Sequence, residues 1–203
     1  MPRVNRFLPH TAVQSPTTQI FSGWCKSTDL KIKPQNPAKR GVLRHLRKEI
    51  LMIKILFVCH GNICRSVSAQ YILQEMVDSK DCGEDFWIDS AATSMEEIGN
   101  PIYPPMRKTL ENHGVPVGDH RARQLKKKDY GNYDLFLGMD EENMYYMNRI
   151  LGGDPEGKIH YLMEYTDMPT AKIEDPWYTR NFEKAYQDIF LGCQGILEWF
   201  VRQ

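Results

Sequence analysis

The segment Cys59-His60-Gly61-Asn62-Ile63-Cys64-Arg65-Ser66 sets one thiol six residues before a guanidinium and seven before a hydroxyl. Gly61 and Asn62 are residue types that tolerate left-handed backbone angles, so the chain between them can curl until successive N–H groups point inward. Such a nest of amides, completed by a helix N-terminus, holds anions, and its size suits a tetrahedral oxyanion. A cysteine facing into that nest is favoured as thiolate by the same positive potential. Arg65 can grip two oxygens of a phosphoryl group with its planar fork. Ser66 can donate its hydroxyl to the sulfur. Together these groups suit in-line phosphoryl transfer to sulfur, with charge stabilisation around the equatorial oxygens. The chemistry requires neither cofactor nor metal. Cys59 and Cys64 with four residues between them could suggest zinc, but neither a second Cys-x-x-Cys nor a His pair accompanies them.

A phosphocysteine route needs an acid for the leaving oxygen and later a base for water. Asp175, in Glu174-Asp175-Pro176-Trp177-Tyr178, is singled out by its setting. Pro176 restricts Asp175 to extended angles and so fixes its direction. Trp177 and Tyr178 can shield the carboxylate and line a pocket for a ring. An Asp-Pro pair alone is an ordinary turn or helix-start device; its weight here comes from the cysteine loop.

The elements that must position these groups alternate. Ile53–Val58 is a short apolar, β-branched run suited to a buried parallel strand, and it ends at Cys59. A helix is predicted over Ser66–Val77, and a second strand over Phe86–Asp89. Pro104 and Pro105 open a helix that runs through Met106–His113, with Gly114 after it. Leu135–Met139 reads as a third strand, Glu141–Leu151 as a helix closed by Gly152-Gly153, and Lys158–Tyr161 as a weaker fourth strand. From Phe182 to Phe200, apolar residues including Ala185, Tyr186, Ile189, Phe190 and Cys193 recur at steps of three and four, the pattern of a helix with one buried stripe. Alternating strands and helices predict an α/β domain with a parallel sheet covered on both faces. Ligands of such sheets sit at the carboxyl ends of the strands, which is where the cysteine turn falls.

The chain has 203 residues, 41% apolar and 26% charged, an ordinary composition for a globular protein with one domain and a tail. It has no apolar run near 18–20 residues, as a transmembrane helix would need. Its five cysteines are scattered, which reads as a reducing, cytoplasmic setting rather than a disulfide scaffold. Formal net charge is zero, so the whole-chain balance suggests neither nucleic acid nor membrane as partner. The balance is uneven, however: residues 1–51 carry a net +8 and residues 52–203 a net −8. The first 51 residues, rich in proline, Ser and Thr, are expected to form a basic disordered extension. It reads as a targeting leader, as a basic arm for a polyanion, or as a segment foreign to the working protein, since Met52 already opens a sequence like a protein start.

Residues 52–203 resemble the low-molecular-weight protein tyrosine phosphatases. The family signature, Val-Cys-x-Gly-Asn-x-Cys-Arg-Ser, stands at Val58–Ser66, and a second, Asp-Pro followed by two aromatics, at Asp175–Tyr178. Asp89–Ser94, His120–Gln124 and Met139-Asp140-Glu141 resemble further family segments in the family order. The resemblance implies a four-stranded parallel sheet of order 2-1-3-4, with helices on both faces and the phosphate loop after the first strand. It implies a phosphotyrosine hydrolase with Cys59 as nucleophile, Arg65 as phosphate ligand and Asp175 as general acid, then base. It makes Ser66 the stabiliser of the leaving thiolate. Asn62, Ser90 and His120 become the network that supports the loop. Cys64 becomes a partner thiol able to trap Cys59 as a disulfide under peroxide. His60, Gly61, Asn62, Ile63, Cys64, Ser66, Trp177 and Tyr178 are the expected substrate contacts. The implied partner is a phosphotyrosine protein, and the implied state a monomer or weak dimer.

Several positions depart from that pattern. The family proline after Arg-Ser is Val67. Met95, Glu96 and Glu97 stand where many relatives offer an aromatic wall, so Trp177 and Tyr178 must supply the ring contacts, and the two glutamates should repel acidic peptides. Related protein-arginine phosphatases carry Thr where Ile63 stands, so Ile63 favours phosphotyrosine. Arsenate reductases of the same fold use two further redox cysteines; Cys82 has no partner a few residues on. A pure phosphopeptide-binding module would need neither thiolate nor acid. Among the other residues, Cys82 reads as an inert loop thiol and Cys193 as core packing. Lys126–Lys128 reads as a solvated helix end or a docking site. Asp140 reads equally as a helix cap or as support for the phosphate loop. Tyr145, Tyr146, Met144 and Met147 read as helix packing, and His60 as a solvent-facing side chain or as one that hydrogen-bonds and tunes the pocket rim.

Overall fold

The computed structural model describes residues 52–201. The expected basic extension, residues 1–51, lies outside the described residues. Four strands, β1 (Ile53–Cys59), β2 (Phe86–Ala92), β3 (Leu135–Gly138) and β4 (Ile159–Tyr161), form one sheet of order β2-β1-β3-β4. Every pairing is parallel, with Cys59 opposite Ala92 on one side of β1 and Val58 opposite Gly138 on the other. The helices are α1 (Arg65–Asp78), α2 (Pro104–Asn112), α3 (Glu141–Leu151), a single turn α4 (Pro176–Thr179) and α5 (Phe182–Val201).

The two-residue period of β1 divides the core. Ile53, Ile55, Phe57 and Cys59 join one buried cluster with residues of α1, α2 and α5. Leu56 and Val58 face the other way, into a cluster with Leu125, Phe136, Met147 and Leu151. Successive side chains of a strand point to opposite faces, so a strand buried on both sides must be apolar throughout, as β1 is. The expected fold class is therefore the observed one, and the end of β1 lies in the middle of the sheet.

Some details differ from expectation. Helix α1 starts at Arg65 rather than Ser66. Lys126–Lys128 is not a helix end; Lys127 begins a 3-10 turn that runs to Gly131. Met147 is buried, but Tyr145 and Tyr146 are exposed, because the buried stripe of α3 runs Asn143, Met147, Leu151 and both tyrosines fall off it. Phe190 is likewise exposed. At about 100° per residue it sits roughly 80° from the centre of the α5 stripe, at its margin. Cys82 is partly buried, its thiol 3.4 Å from the Val77 carbonyl oxygen that accepts from it, and burial pushes that thiol's pKa up. Cys193 is fully buried, as expected.

Candidate active site

The turn after β1 curls because its carbonyls are drawn outward. Cys59 O accepts from Thr93 N (2.8 Å), His60 O from Ser94 N (3.0 Å), Ile63 O from Tyr103 N (2.9 Å) and Cys64 O from Ser68 N (3.1 Å). The Asn62 carbonyl accepts from His120 Nε2 at 2.7 Å. A loop whose carbonyls are engaged on its outside in this way presents its amides to the inside. The tightest bend is at Asn62, whose φ of 58° is left-handed and which is fully buried.

Asn62 is held by its side chain. Its Nδ2 donates to Ser66 Oγ (3.0 Å) and Ser90 Oγ (2.8 Å), and its Oδ1 accepts from Arg123 N (3.1 Å). Ser90 Oγ in turn donates to Gln70 Oε1 at 2.6 Å. Burial lowers the pKa of His120 and so disfavours its charged form; the Asn62 carbonyl, which can only accept, receives a hydrogen bond from the proton carried by Nε2. The network of Asn62, Ser90 and His120 is thus assembled in space. Gln70 and Arg123 belong to it as well and were not singled out by sequence pattern. Arg123 lay inside a recognised segment, but nothing local to it signalled an amide aimed at Asn62.

Cys59 Sγ sits at the base of the cup. Asn62 N donates to it at 3.3 Å, and Ser66 Oγ lies 3.1 Å away. Arg65, 2% exposed, reaches across the cup. Its guanidinium donates to the carboxylates of Asp140 and Asp175, and to the carbonyl of Ile173 at 3.0 Å. Burial opposes the Arg65 charge, but Cys59, Asp175 and Asp140 together outweigh it and hold its pKa above the ordinary value. Arg65 Nε is buried and has no acceptor. Asp140 answers to both of its readings: Oδ1 caps α3 by accepting from Asn143 N at 2.8 Å, and Oδ2 holds Arg65.

Asp175 also has two duties. Oδ1 accepts from Trp177 N at 3.0 Å, capping the turn α4, and Oδ2 meets Arg65. Its extended φ/ψ of −76°/114° is the conformation that Pro176 requires. This fixes the carboxylate over the same cup as Cys59. Both belong to a pocket of about 120 Å³ lined also by His60, Gly61, Ile63, Cys64, Glu96, Glu97, Trp177 and Tyr178. Asn62 and Ser66 lie beneath the lining rather than in it. Trp177 stacks edge-on against Tyr103 at 5.0 Å between ring centres, while Tyr178 is 82% exposed at the rim. His60 is only half-exposed, and its Nε2 lies 3.2 Å from Glu96 Oε2 in the pocket lining, which favours the rim reading over the solvent-facing one. Cys64 is buried; burial, with the charges of Cys59 and Asp175, pushes its thiol far up in pKa and keeps it neutral. Among the described residues no cluster of three or more His, Cys, Asp or Glu could hold a metal ion.

A thiol in a cup of amides at the carboxyl end of a central parallel strand, faced by a buried arginine and a carboxylate, is equipment for a tetrahedral anion. The family model for "Low molecular weight phosphotyrosine protein phosphatase" matches residues 54–203. The human protein of that name is 38% identical over 148 residues, spanning 71% of this chain and 93% of its own. The crystal structure of YfkJ from Bacillus subtilis superposes with a TM-score of 0.72 at 32% identity, covering 74% of this chain and 96% of that one. A Drosophila arginine phosphatase superposes with a TM-score of 0.67 at 27% identity, covering 73% and 98%. The fold and the family match define a small α/β phosphatase, a phosphoric monoester hydrolase. The chain belongs to the low molecular weight phosphotyrosine protein phosphatases.

Proposed function

We propose that this chain hydrolyses phosphotyrosine monoesters in proteins through a phosphocysteine on Cys59. The observation that carries the reading is the convergence of Cys59, Arg65 and Asp175 on one pocket floored by the amide cup. Cys59 Sγ attacks phosphorus in line with the ester oxygen. The P–O bond breaks, and the leaving phenoxide takes its proton from Asp175. The buried Arg65 Nε, which lacks an acceptor within the protein, supports a role in gripping the phosphoryl oxygens. Water then attacks the phosphocysteine and gives its proton back to Asp175. The thiolate departs towards Ser66 Oγ and Asn62 N, and inorganic phosphate is released.

Trp177 and the exposed Tyr178 offer the faces between which an aromatic ring can lie. Ile63 in the lining supplies bulk and no hydroxyl, which favours a phenyl ester over a guanidine. The catalytic unit is assigned to residues 52–203, consistent with the family match from residue 54 and the first strand from Ile53. Cys64 serves as the thiol that rescues Cys59: peroxide oxidises Cys59 to the sulfenic acid, which removes the thiolate charge that helps hold Cys64 protonated, and Cys64 then attacks, its proton leaving with the sulfenic hydroxyl as water as the disulfide forms.

The test is phosphatase profiling against phosphotyrosine, phosphoarginine and phosphoserine peptides, for the parent and Cys59→Ser. The expected result is selective phosphotyrosine turnover that vanishes in Cys59→Ser while inorganic phosphate still binds. Turnover near the parent's rate in that variant rejects the covalent route, and preferential release from phosphoarginine rejects the substrate assignment.

A further inference from the structure

A second concavity, of about 730 Å³, shares no lining residue with the catalytic pocket. That volume lies in the range typical of small-molecule sites. It opens beside β2, one of the two edge strands of the sheet. Lys54 on β1 and Trp87 on β2 are register partners, so their side chains share one face of the sheet and both enter the cleft. Trp87 is 57% exposed, an unusual position for an indole on a strand. Lys126 and Lys128 also line the cleft, while Lys127 between them turns away towards Gly152.

The polar floor of the cleft is already satisfied. Arg123 donates to Asp89 Oδ2 at 2.8 Å and to Asp129 Oδ2 at 3.2 Å, and Tyr133 donates to Asp89 Oδ2 at 2.8 Å. Its three lysine ammoniums are not: none makes an ion pair among the described residues. Counting Lys54, Arg123, Lys126 and Lys128 against Asp89 and Asp129, the lining carries a net +2 around one exposed indole, on a region, residues 52–203, of net charge −8. The N-terminal segment, at net +8, has the wrong sign to fill it. An indole face beside an array of ammoniums matches a ligand that joins a flat ring to several negative charges.

We infer that this cleft binds a nucleoside polyphosphate, with the base laid on Trp87 and the phosphates met by Lys54, Lys126 and Lys128. The test is calorimetric titration of the full chain with ATP, with inorganic tripolyphosphate and with a poly-glutamate peptide. It is repeated on Trp87→Leu and on the double variant Lys126→Glu/Lys128→Glu, whose two positions are exposed on a turn and keep the test usable should Trp87→Leu fail to fold. ATP should bind saturably. The double variant should weaken ATP by about tenfold or more, the equivalent of one decade in Kd. Trp87→Leu should weaken ATP and leave tripolyphosphate unchanged. ATP binding that is absent at millimolar concentration, or untouched by the double variant, overturns the assignment, the latter placing the nucleotide elsewhere. Tripolyphosphate binding as tightly as ATP removes the role of the ring, and tighter binding of poly-glutamate makes the cleft a site for an acidic protein segment instead.

Discussion

Replacing Asn62 by alanine tests whether the active loop is held by one side chain. The substitution deletes three hydrogen bonds: to Ser66 Oγ, to Ser90 Oγ and from Arg123 N. At about 1 kcal/mol net each, their loss costs roughly 3 kcal/mol. The left-handed φ of 58° adds about 1 kcal/mol, because alanine lacks the local polar contacts that let asparagine tolerate it. The expected loss of unfolding free energy is about 4 kcal/mol, read as a lower urea midpoint at unchanged m-value. A double-mutant cycle with Ser90→Ala should give a coupling of ~0.5–1.5 kcal/mol, because the pair shares a 2.8 Å bond. Turnover should fall together with stability, since the same residue's N–H faces Cys59 Sγ. A loss below about 1 kcal/mol, or strict additivity with Ser90→Ala, would refute the idea that Asn62 pins the loop.

Asp175→Asn should slow phosphate esters of poor leaving groups by roughly 10²–10⁴-fold and good ones far less; equal slowing across a series of substituted phenyl phosphates removes Asp175 as the acid. The hydrogen bond to Glu164 raises the pKa of His160, and hydrogen bonds from His160 and Tyr161 N, outweighing burial, lower that of Glu164. The raised histidine contributes stability that is complete below its unfolded pKa of about 6.5 and lost as pH rises through the higher folded value; the lowered glutamate contributes above about 4.3 and fades in acid. The pair therefore counts most between about pH 4.5 and 6.5, and because Glu164 is partly exposed its contribution is below about 1 kcal/mol. Thermal melts of Glu164→Gln should show a larger deficit at pH 5.5 than at pH 8.5, and a reversed order would contradict the sign. Gly195→Ala should cost about 2–3 kcal/mol in denaturant titrations, since its Cβ would stand 2.1 Å from the Tyr165 carbonyl oxygen, and an unchanged midpoint would show that α5 can shift freely.

The strands and helices were legible because burial leaves a periodic trace. β1 is apolar at nearly every position since both of its faces are covered, and α5 repeats at the helical step. The 3-10 turns at Gly83–Asp85, Lys127–Gly131 and Leu162–Tyr165 left no such trace. They are too short for a period, and the last two are braced by carboxylates, Asp129 and Glu164, that accept from the backbone amides of Lys126 and Tyr161. At the site, Cys59, Arg65 and Asp175 were legible because loop chemistry demands those residue types at close spacing or beside a proline. Gln70, Arg123 and the Ile173 carbonyl were not, because each contributes an ordinary group whose value arises only from being carried to the loop from another segment. The same holds for Lys54 and Trp87, neighbours in register and far apart in the chain.

Asp140 begins α3 with one oxygen and steadies Arg65 with the other. Thermal fraying at the start of that helix would therefore loosen the Arg65 guanidinium from a distance, leaving Cys59 and Asp175 in place. Changes along the outer side of α3, remote from sulfur and phosphorus alike, acquire a route to weaker affinity for oxyanions, so the enzyme's performance on warming would decline before the molecule as a whole unfolds.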